Sequence, residues 1–285
     1  SDLIDRLSNL FFGATSTLTT PLPPDLNGGL FTIDASITHD EIIDNALTDI
    51  AWRYALRELN SFVITDVSYE RHNSDRSLDL YNPSTGQGAM TDRFIADRGA
   101  MLLWRLQFEQ RGARDDNDDP RAGPKPFNED WDTTTVQGNW DYVDLDPTHA
   151  LPGGQPLTLA IDGDGVSLHD HQVVFGSSQG ESIEGEGESD WLYGMGGDDT
   201  IEGQAGNDYI EGGSGNDVLY GGAGRDDVHG GEGDDVLVGA TGAMNGDNLY
   251  GGLGFDTYYF AGGAEQNGIL DLDGRGTVYH GGFQL

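Results

Sequence analysis

The sequence predicts an α+β chain in two unlike parts, a small and mostly helical N-terminal domain followed by a solenoid of short strands. Two observations predict this. From Gly194 to Val238 the residues recur every nine positions without a slip, and a fixed short period marks turn-plus-strand units stacked on one another. Over residues 1–150 glycine is sparser and apolar residues fall at helical spacing instead.

The uninterrupted units read GMGGDDTIE, GQAGNDYIE, GGSGNDVLY, GGAGRDDVH and GGEGDDVLV. Gly opens each unit and recurs at the fourth place, Asp holds the sixth and an aliphatic residue the eighth. In Gly212 to Tyr220, Gly212-Gly213-Ser214-Gly215 suits neither a helix nor a good strand interior, because glycine accepts positive φ and close backbone approach. The first six residues therefore read as a tight loop and Val218-Leu219-Tyr220 as a short strand. Alternation along that strand points Leu219 inward, as it does Leu192, Ile201, Ile210, Val228 and Leu237 in the other units.

One buried aliphatic side chain in nine residues does not offset the conformational entropy of ordering them, and the acidic residues repel one another. The unit therefore needs help to fold. A carboxylate beside a glycine loop, whose carbonyls are free to turn inward, is a hard oxygen site that suits Ca²⁺. The chain has no Cys, so thiolate-bound metals are excluded.

The pattern GGxGxD followed by an alternating strand resembles the repeats-in-toxin (RTX) family of secreted bacterial proteins, over about a third of the chain. The resemblance implies a parallel β-roll whose successive units alternate between two sheets, with Ca²⁺ between loops stacked on the same edge. It implies sixth-position ligands Asp199, Asp208, Asp217, Asp226 and Asp235. It also implies carbonyl donors in the loops of Gly194, Gly196, Gly203, Gly212, Gly213, Gly215, Gly221, Gly222, Gly224, Gly230, Gly231 and Gly233. Asp190 and Asp256 belong to flanking units that match less fully, GEGESDWLY with Glu188 in the fourth place and GGLGFDTYY. Between Val238 and Gly251 the segment GATGAMNGDNLY carries three extra residues before Asp247 and Leu249 return to frame. A bulged turn is expected there, with the site at Asp247 kept or lost. Upstream, GSSQGESIE places Glu181 in the Asp slot and reads as a cap.

With 50 acidic and 14 basic residues the formal net charge is −36, which disfavours nucleic acids and anionic membranes as direct partners and suits a chain that binds many cations. No apolar run is long enough to span a membrane. Ser1 does not begin a basic-then-apolar leader. RTX proteins leave the cell through a one-step, type I exporter that reads a C-terminal signal, and the final Gly-Gly-Phe-Gln-Leu285 carries no convincing one. A piece of a longer polypeptide, secreted from a Gram-negative bacterium, is the expectation.

In the N-terminal part, Leu3, Ile4, Leu7, Leu10 and Phe11 form a helical stripe over Ser1 to Phe12. Thr38-His39-Asp40-Glu41 is a capping box that starts a helix reaching about Asn60. Phe62 to Val67 reads as a strand, Leu78 to Pro83 as a short strand entering a turn, and Thr91 to Gln110 as a helix stopped by Gly112. Pro21 to Pro24 and Arg114 to Pro126 read as loops. The stretches Ala55 to Phe62 and Leu103 to Leu106 are similar to segments preceding RTX repeats in large secreted proteins, and the helical part would cap the roll's N-terminal end. The expected division is a helical domain over 1–113, an acidic, Pro/Gly-rich transition over 114–166, the calcium-binding roll over 167–260 and capping strands over 261–285.

Several motifs invite other chemistry. Gly176-Ser177-Ser178-Gln179-Gly180 matches G-x-S-x-G, but a nucleophile elbow needs a helix after it and the first repeat follows instead. His169-Asp170-His171 lacks a third metal ligand. His72 follows the strand containing Asp66 in a polar turn. Asp115-Asp116-Asn117-Asp118-Asp119 has D-x-N-x-D spacing, yet Pro120 stands where an EF-hand loop needs Gly. Asp162 to Gly165 and Asp271 to Gly274 are short D-x-D-G pieces, and Asp119-Pro120 and Asp146-Pro147 match self-cleaving RTX modules only in the dipeptide. Two functions of different kinds follow. One is a calcium-dependent folding module of an exported protein, possessing no active site of its own. The other is the tail of a lipase-like hydrolase or an adhesin, in which the N-terminal half contributes to activity or binds a cell-surface or host ligand.

Overall fold

A computed structural model describes residues 29–34, 36–65, 67–111, 140–150, 154–160, 171–239, 246–260, 268–281 and 283–284. The chain divides into two compact units, Ser1–Leu80 with Met90–Trp131, and Tyr81–Ala89 with Asp132–Leu285.

The first unit holds the three α-helices found among the described residues. Strand β1 (Leu30–Thr32) pairs antiparallel with β2 (Phe62–Ile64). Helix α1 (His39–Thr48) opens on the expected capping box, with Glu41 N–H donating to Thr38 Oγ1 (3.2 Å) and Thr38 N–H to Glu41 Oε2 (2.9 Å). It stops early. Asp49 takes an extended conformation (φ −131°, ψ 123°) and caps a second helix, α2 (Ile50–Arg57), by accepting from Ala51 N–H. The single helix expected from Thr38 to about Asn60 is thus two, because the Asp49 carboxylate competes for backbone donors and breaks the ladder. Helix α3 (Asp92–Arg111) starts where Thr91 Oγ1 accepts from Phe94 N–H (3.0 Å). Its buried Arg98 donates to the carbonyls of Leu56 and Arg57, and Arg105 donates to that of Leu59. These donors tie α3 to backbone carbonyls at and just beyond the end of α2. The strand expected over Leu78 to Pro83 is only a pair of isolated bridges, Leu80 to Met90 and Asn82 to Gln87. The expected N-terminal helix, Gly112 and the loops at Pro21 to Pro24 and Arg114 to Pro126 lie outside the described residues.

The second unit is a parallel β-solenoid of about five turns. Its strands are β3 (Trp140–Asp144), β4 (Leu157–Ala160), β5 (His171–Ser177), β6 (Ser182–Glu184), β7 (Trp191–Met195), β8 (Thr200–Glu202), β9 (Tyr209–Ser214), β10 (Val218–Tyr220), β11 (Asp227–Glu232), β12 (Val236–Val238), β13 (Asn248–Leu253), β14 (Asp256–Phe260), β15 (Gly268–Leu270), β16 (Gly276–His280) and β17 (Phe283–Gln284). From β5 to β16 successive strands alternate between two sheets, ordered β4-β3-β5-β7-β9-β11-β13-β15 and β6-β8-β10-β12-β14-β16-β17. Pairing is parallel except where β4 joins β3 and β17 joins β16.

Inward residues stack in two columns. Val174, Leu192, Ile210, Val228 and Leu249 pair in register along one sheet. Ile183, Ile201, Leu219, Leu237 and Tyr258 do so along the other. Together they form one continuous core. The strands of the first sheet are longer than expected. β9 runs on through Gly212-Gly213-Ser214, residues the sequence assigns to the loop. Gly213, at φ +109°, turns the corner while keeping its place opposite Gly231. The segment read as a linker supplies β3 and β4.

Candidate metal centre in the repeat turns

The sixth-position carboxylates lie in two rows, one along each edge of the roll. In each, Oδ1 accepts the N–H of the carboxylate residue one full turn earlier. Asp190 donates to Asp208 (2.9 Å), Asp199 to Asp217 (2.9 Å), Asp208 to Asp226 (3.0 Å) and Asp217 to Asp235 (2.8 Å). The three-residue insertion does not break this. Asp226 donates to Asp247 (3.2 Å) and Asp235 to Asp256 (3.1 Å), each across 21 residues instead of 18. A second ladder runs in the opposite sense at the fifth position, where Asn216 N–H donates to Asp198 Oδ1 (2.8 Å) and Asp234 N–H to Asn216 Oδ1 (2.9 Å).

The other carboxylate oxygen behaves differently. Oδ2 of Asp199, Asp208, Asp217, Asp226 and Asp235 is buried and has no hydrogen-bond partner. Each faces the opening glycine of its own unit. A Cβ placed on Gly194 would fall onto Asp199 Oδ2 and the Gly212 carbonyl. The same holds for Gly203 with Asp208 and the Gly221 carbonyl, for Gly212 with Asp217 and the Gly230 carbonyl, and for Gly230 with Asp235 and the Gly251 carbonyl. At Gly221 the Asp226 carboxylate alone would be struck. The cradle thus pairs one carboxylate oxygen with a carbonyl of the next turn on the same edge.

Burial without a counter-charge disfavours ionisation. It pushes Asp199 and Asp226 up to about 7, Asp208 to about 9, Asp217 to about 6 and Asp235 to about 8, each against the pull of one backbone N–H. Among the described residues no three His, Asp or Glu side chains gather as a metal cluster. A cation here would take one carboxylate oxygen and complete its shell with carbonyls, the donor set of a hard ion with flexible coordination such as Ca²⁺.

The remaining loop glycines serve the same turns. Gly213, Gly222 and Gly231 hold the second place at φ +109°, +105° and +121°, and Gly215, Gly224 and Gly233 hold the fourth at +136°, +154° and +140°. Gly196 stands third in its unit and donates to Ser177 O (3.1 Å), the fourth place being Gly197 at φ +101°. Gly197, Gly206 and Gly239 belong with the expected loop residues. Gly239 opens the turn of Asp247, since a Cβ there would lie 2.8 Å from Asp247 Oδ2. The units name Gly197 and Gly206 directly, whereas the insertion hides Gly239.

Asp190 and Asp256, expected to act alike, differ from the five. Asp190 Oδ2 accepts from Glu186 N–H (2.7 Å) and its Oδ1 from Gln172 N–H (2.8 Å). Asp256 Oδ2 faces the hydroxyl of Tyr258 at 3.5 Å.

The alternative motifs are dispersed. Ser178 is exposed on the first turn, and strand β6 follows it where an elbow requires a helix. His171 Nδ1 lies 2.7 Å from Ser189 O. His72 sits on a 3₁₀ turn (Glu70–Asn73), edge-on to Tyr54 at 5.1 Å. Asp271 and Asp273 accept from Gly274 and Arg275 N–H. Asp146 holds an exposed turn through Thr148. Asp66, Asp115 to Asp119, Pro120, Asp162 to Gly165, His169 and Asp170 lie outside the described residues.

The family model for the RTX calcium-binding nonapeptide repeat (4 copies) matches residues 175–210 and 203–237. No curated protein and no solved structure matches the chain. Such repeats bind calcium, and the matched segments contain all five half-satisfied carboxylates. Residues 175–237 thus carry RTX calcium-binding nonapeptide repeats.

Proposed function

We propose that this chain is a calcium-loaded folding module of a larger secreted protein, disordered at low calcium inside the cell and folded outside it. The observation that carries the reading is the set of five buried Oδ2 atoms without partners, each aimed into a glycine cradle. Buried polar atoms are almost always satisfied, so a repeated lack at one structural position is the signature of a missing ligand. Bound there, Ca²⁺ supplies the positive charge that the burial of each carboxylate demands. The chain's own groups do the rest. Oδ1 holds each carboxylate against the preceding turn, and the opening glycine leaves the space beside Oδ2 clear. The Gly212, Gly221, Gly230 and Gly251 carbonyls bring the next turn to the same ion, so binding ties turns together and couples metal uptake to folding. One-step export of an unfolded chain and release into a calcium-rich exterior follow from that coupling.

The test is a calcium titration of the dialysed chain, followed by far-ultraviolet circular dichroism with bound calcium counted in parallel. A cooperative gain of β-structure by millimolar calcium is expected. A spectrum unchanged between no calcium and 10 mM would sink the reading.

A further inference from the structure

Both rows of carboxylates are closed at both ends by groups of the chain itself. At the N-terminal ends, Glu181 occupies the first carboxylate place of one row. Its Oε2 accepts from Ser177 N–H (2.9 Å) and its Oε1 from Ser177 Oγ (2.5 Å). Asp190, first in the other row, has Oδ2 bonded to Glu186 N–H. At the C-terminal ends the closure is aromatic. Beside Gly251, where the cradles of Gly185, Gly194, Gly203, Gly212 and Gly230 present a carbonyl of the next turn, stands the Tyr258 hydroxyl, next to Asp256 Oδ2. Beside Gly239 stands the ring of Phe260, with Cδ1 and Cε1 each 3.3 Å from where a Cβ would be. Tyr258 is 1% exposed and replaces the aliphatic residue of the eighth place. Its ring belongs to the core while its hydroxyl reaches the carboxylate edge.

Building on the calcium reading, we propose that calcium is confined to the five turns of Asp199, Asp208, Asp217, Asp226 and Asp235, and that Tyr258 ends one row by putting its hydroxyl in the place of an ion. The hydroxyl, 3.5 Å from Asp256 Oδ2 and hydrogen-bonded to Asp271 as well, partners Asp256 without a metal, so the last turn folds independently of calcium. The same logic makes Glu181 and Asp190 metal-independent starts, and the module is a five-ion stack between two self-satisfied ends.

Calcium bound to the full chain is counted by elemental analysis after equilibrium dialysis at saturating calcium, and the folding midpoint is read by circular dichroism. Five ions are expected. Asp256→Asn keeps the acceptor for Asp235 N–H and is expected to retain five ions with a midpoint within about twofold, whereas Asp217→Asn loses at least one. Tyr258→Leu restores the aliphatic eighth place and frees Asp256 Oδ2, and a sixth ion is expected. More than five ions in the unsubstituted chain, an ion lost in Asp256→Asn, or a count still at five in folded Tyr258→Leu would overturn the proposal. Should Tyr258→Leu fail to fold, the Asp256→Asn count decides alone. No calcium on any form would instead overturn the calcium reading itself.

Discussion

At the scale of single residues, the sixth-position Asp divides two jobs between its oxygens on the proposed reading, Oδ1 joining one turn to the last and Oδ2 taking a cation. Asparagine separates the jobs, because its carbonyl still accepts the N–H while its amide replaces Oδ2. Asp217→Asn is therefore expected to raise the calcium midpoint about tenfold, on the order of 1.4 kcal/mol, while the calcium-saturated spectrum stays that of the folded chain. A spectrum that never reaches the folded form would show that Oδ2 does more than hold metal. Gly212→Ala attacks the same cradle from the other side, since its Cβ would fall onto Asp217 Oδ2. A comparable loss of affinity is expected in the same titration. Gln204 stands at φ +73° where four other units carry Gly in the second place, a conformation costing a non-glycine residue about 1–2 kcal/mol. Gln204→Gly is expected to stabilise the calcium-bound chain by up to about 1 kcal/mol in thermal unfolding, and a lower melting temperature would contradict it. The spacing of the sequence identifies the carboxylates, the loop glycines and the inward aliphatic residues. The division of labour between the two oxygens is invisible in it, because it depends on a partner 18 residues away. The spacing of GGLGFDTYY marks only a unit that matches less fully, and singles out neither the aromatic residue at its eighth place, Tyr258, nor the reach of its hydroxyl to Asp256.

At the scale of elements, each strand is held by the columns it stacks into. Leu219 lies between Ile201 and Leu237, fully buried, and no neighbouring turn can close over a gap without shifting its own register. Leu219→Ala is expected to cost about 2–5 kcal/mol, read as a loss of denaturation midpoint at saturating calcium, with the ion count preserved. A loss below about 1 kcal/mol would mean that the turns, not the columns, hold the roll. The column was plain in the nine-residue period. The elements that were not plain lack a period or contradict propensity. Strand β3 has no repeat to announce it, and it joins the roll through parallel pairing with β5. β9 extends into glycines that disfavour strands alone but pair in register with β11. The helix broken at Asp49 follows from one side chain capping its successor, which apolar spacing does not register. The antiparallel strands β4 and β17 lie at opposite ends of different sheets and depart from the parallel order that would let another turn add on.

At the scale of the whole molecule, the net charge of −36 and the two rows of buried carboxylates set, on the proposed reading, how folding depends on calcium and on protons. The five ions proposed above, each at ten times its dissociation constant, would contribute on the order of 7 kcal/mol, comparable to the net stability of an ordinary domain. Protons compete for the same oxygens. The ordinary carboxylate value of 3.8 rises to between about 6 and about 9 in the folded, metal-free roll, chiefly through burial. Between those limits the folded form holds protons that the unfolded chain has released. The sign follows from linkage: the metal-free roll is favoured near pH 4 and loses stability as pH rises through 6 to 9. Calcium reverses the trend, because its ligands must be ionised and each ion bound displaces protons. In calcium-free buffer the β-signal is therefore expected to be larger at pH 5.5 than at pH 8.5. At fixed limiting calcium the order inverts, and the calcium midpoint falls as pH rises between those values. Circular dichroism along both series checks this together with a proton-release measurement at pH 7. A metal-free chain that gains structure toward pH 8.5, or calcium uptake that releases no protons, would show that these carboxylates do not share their oxygens between proton and metal.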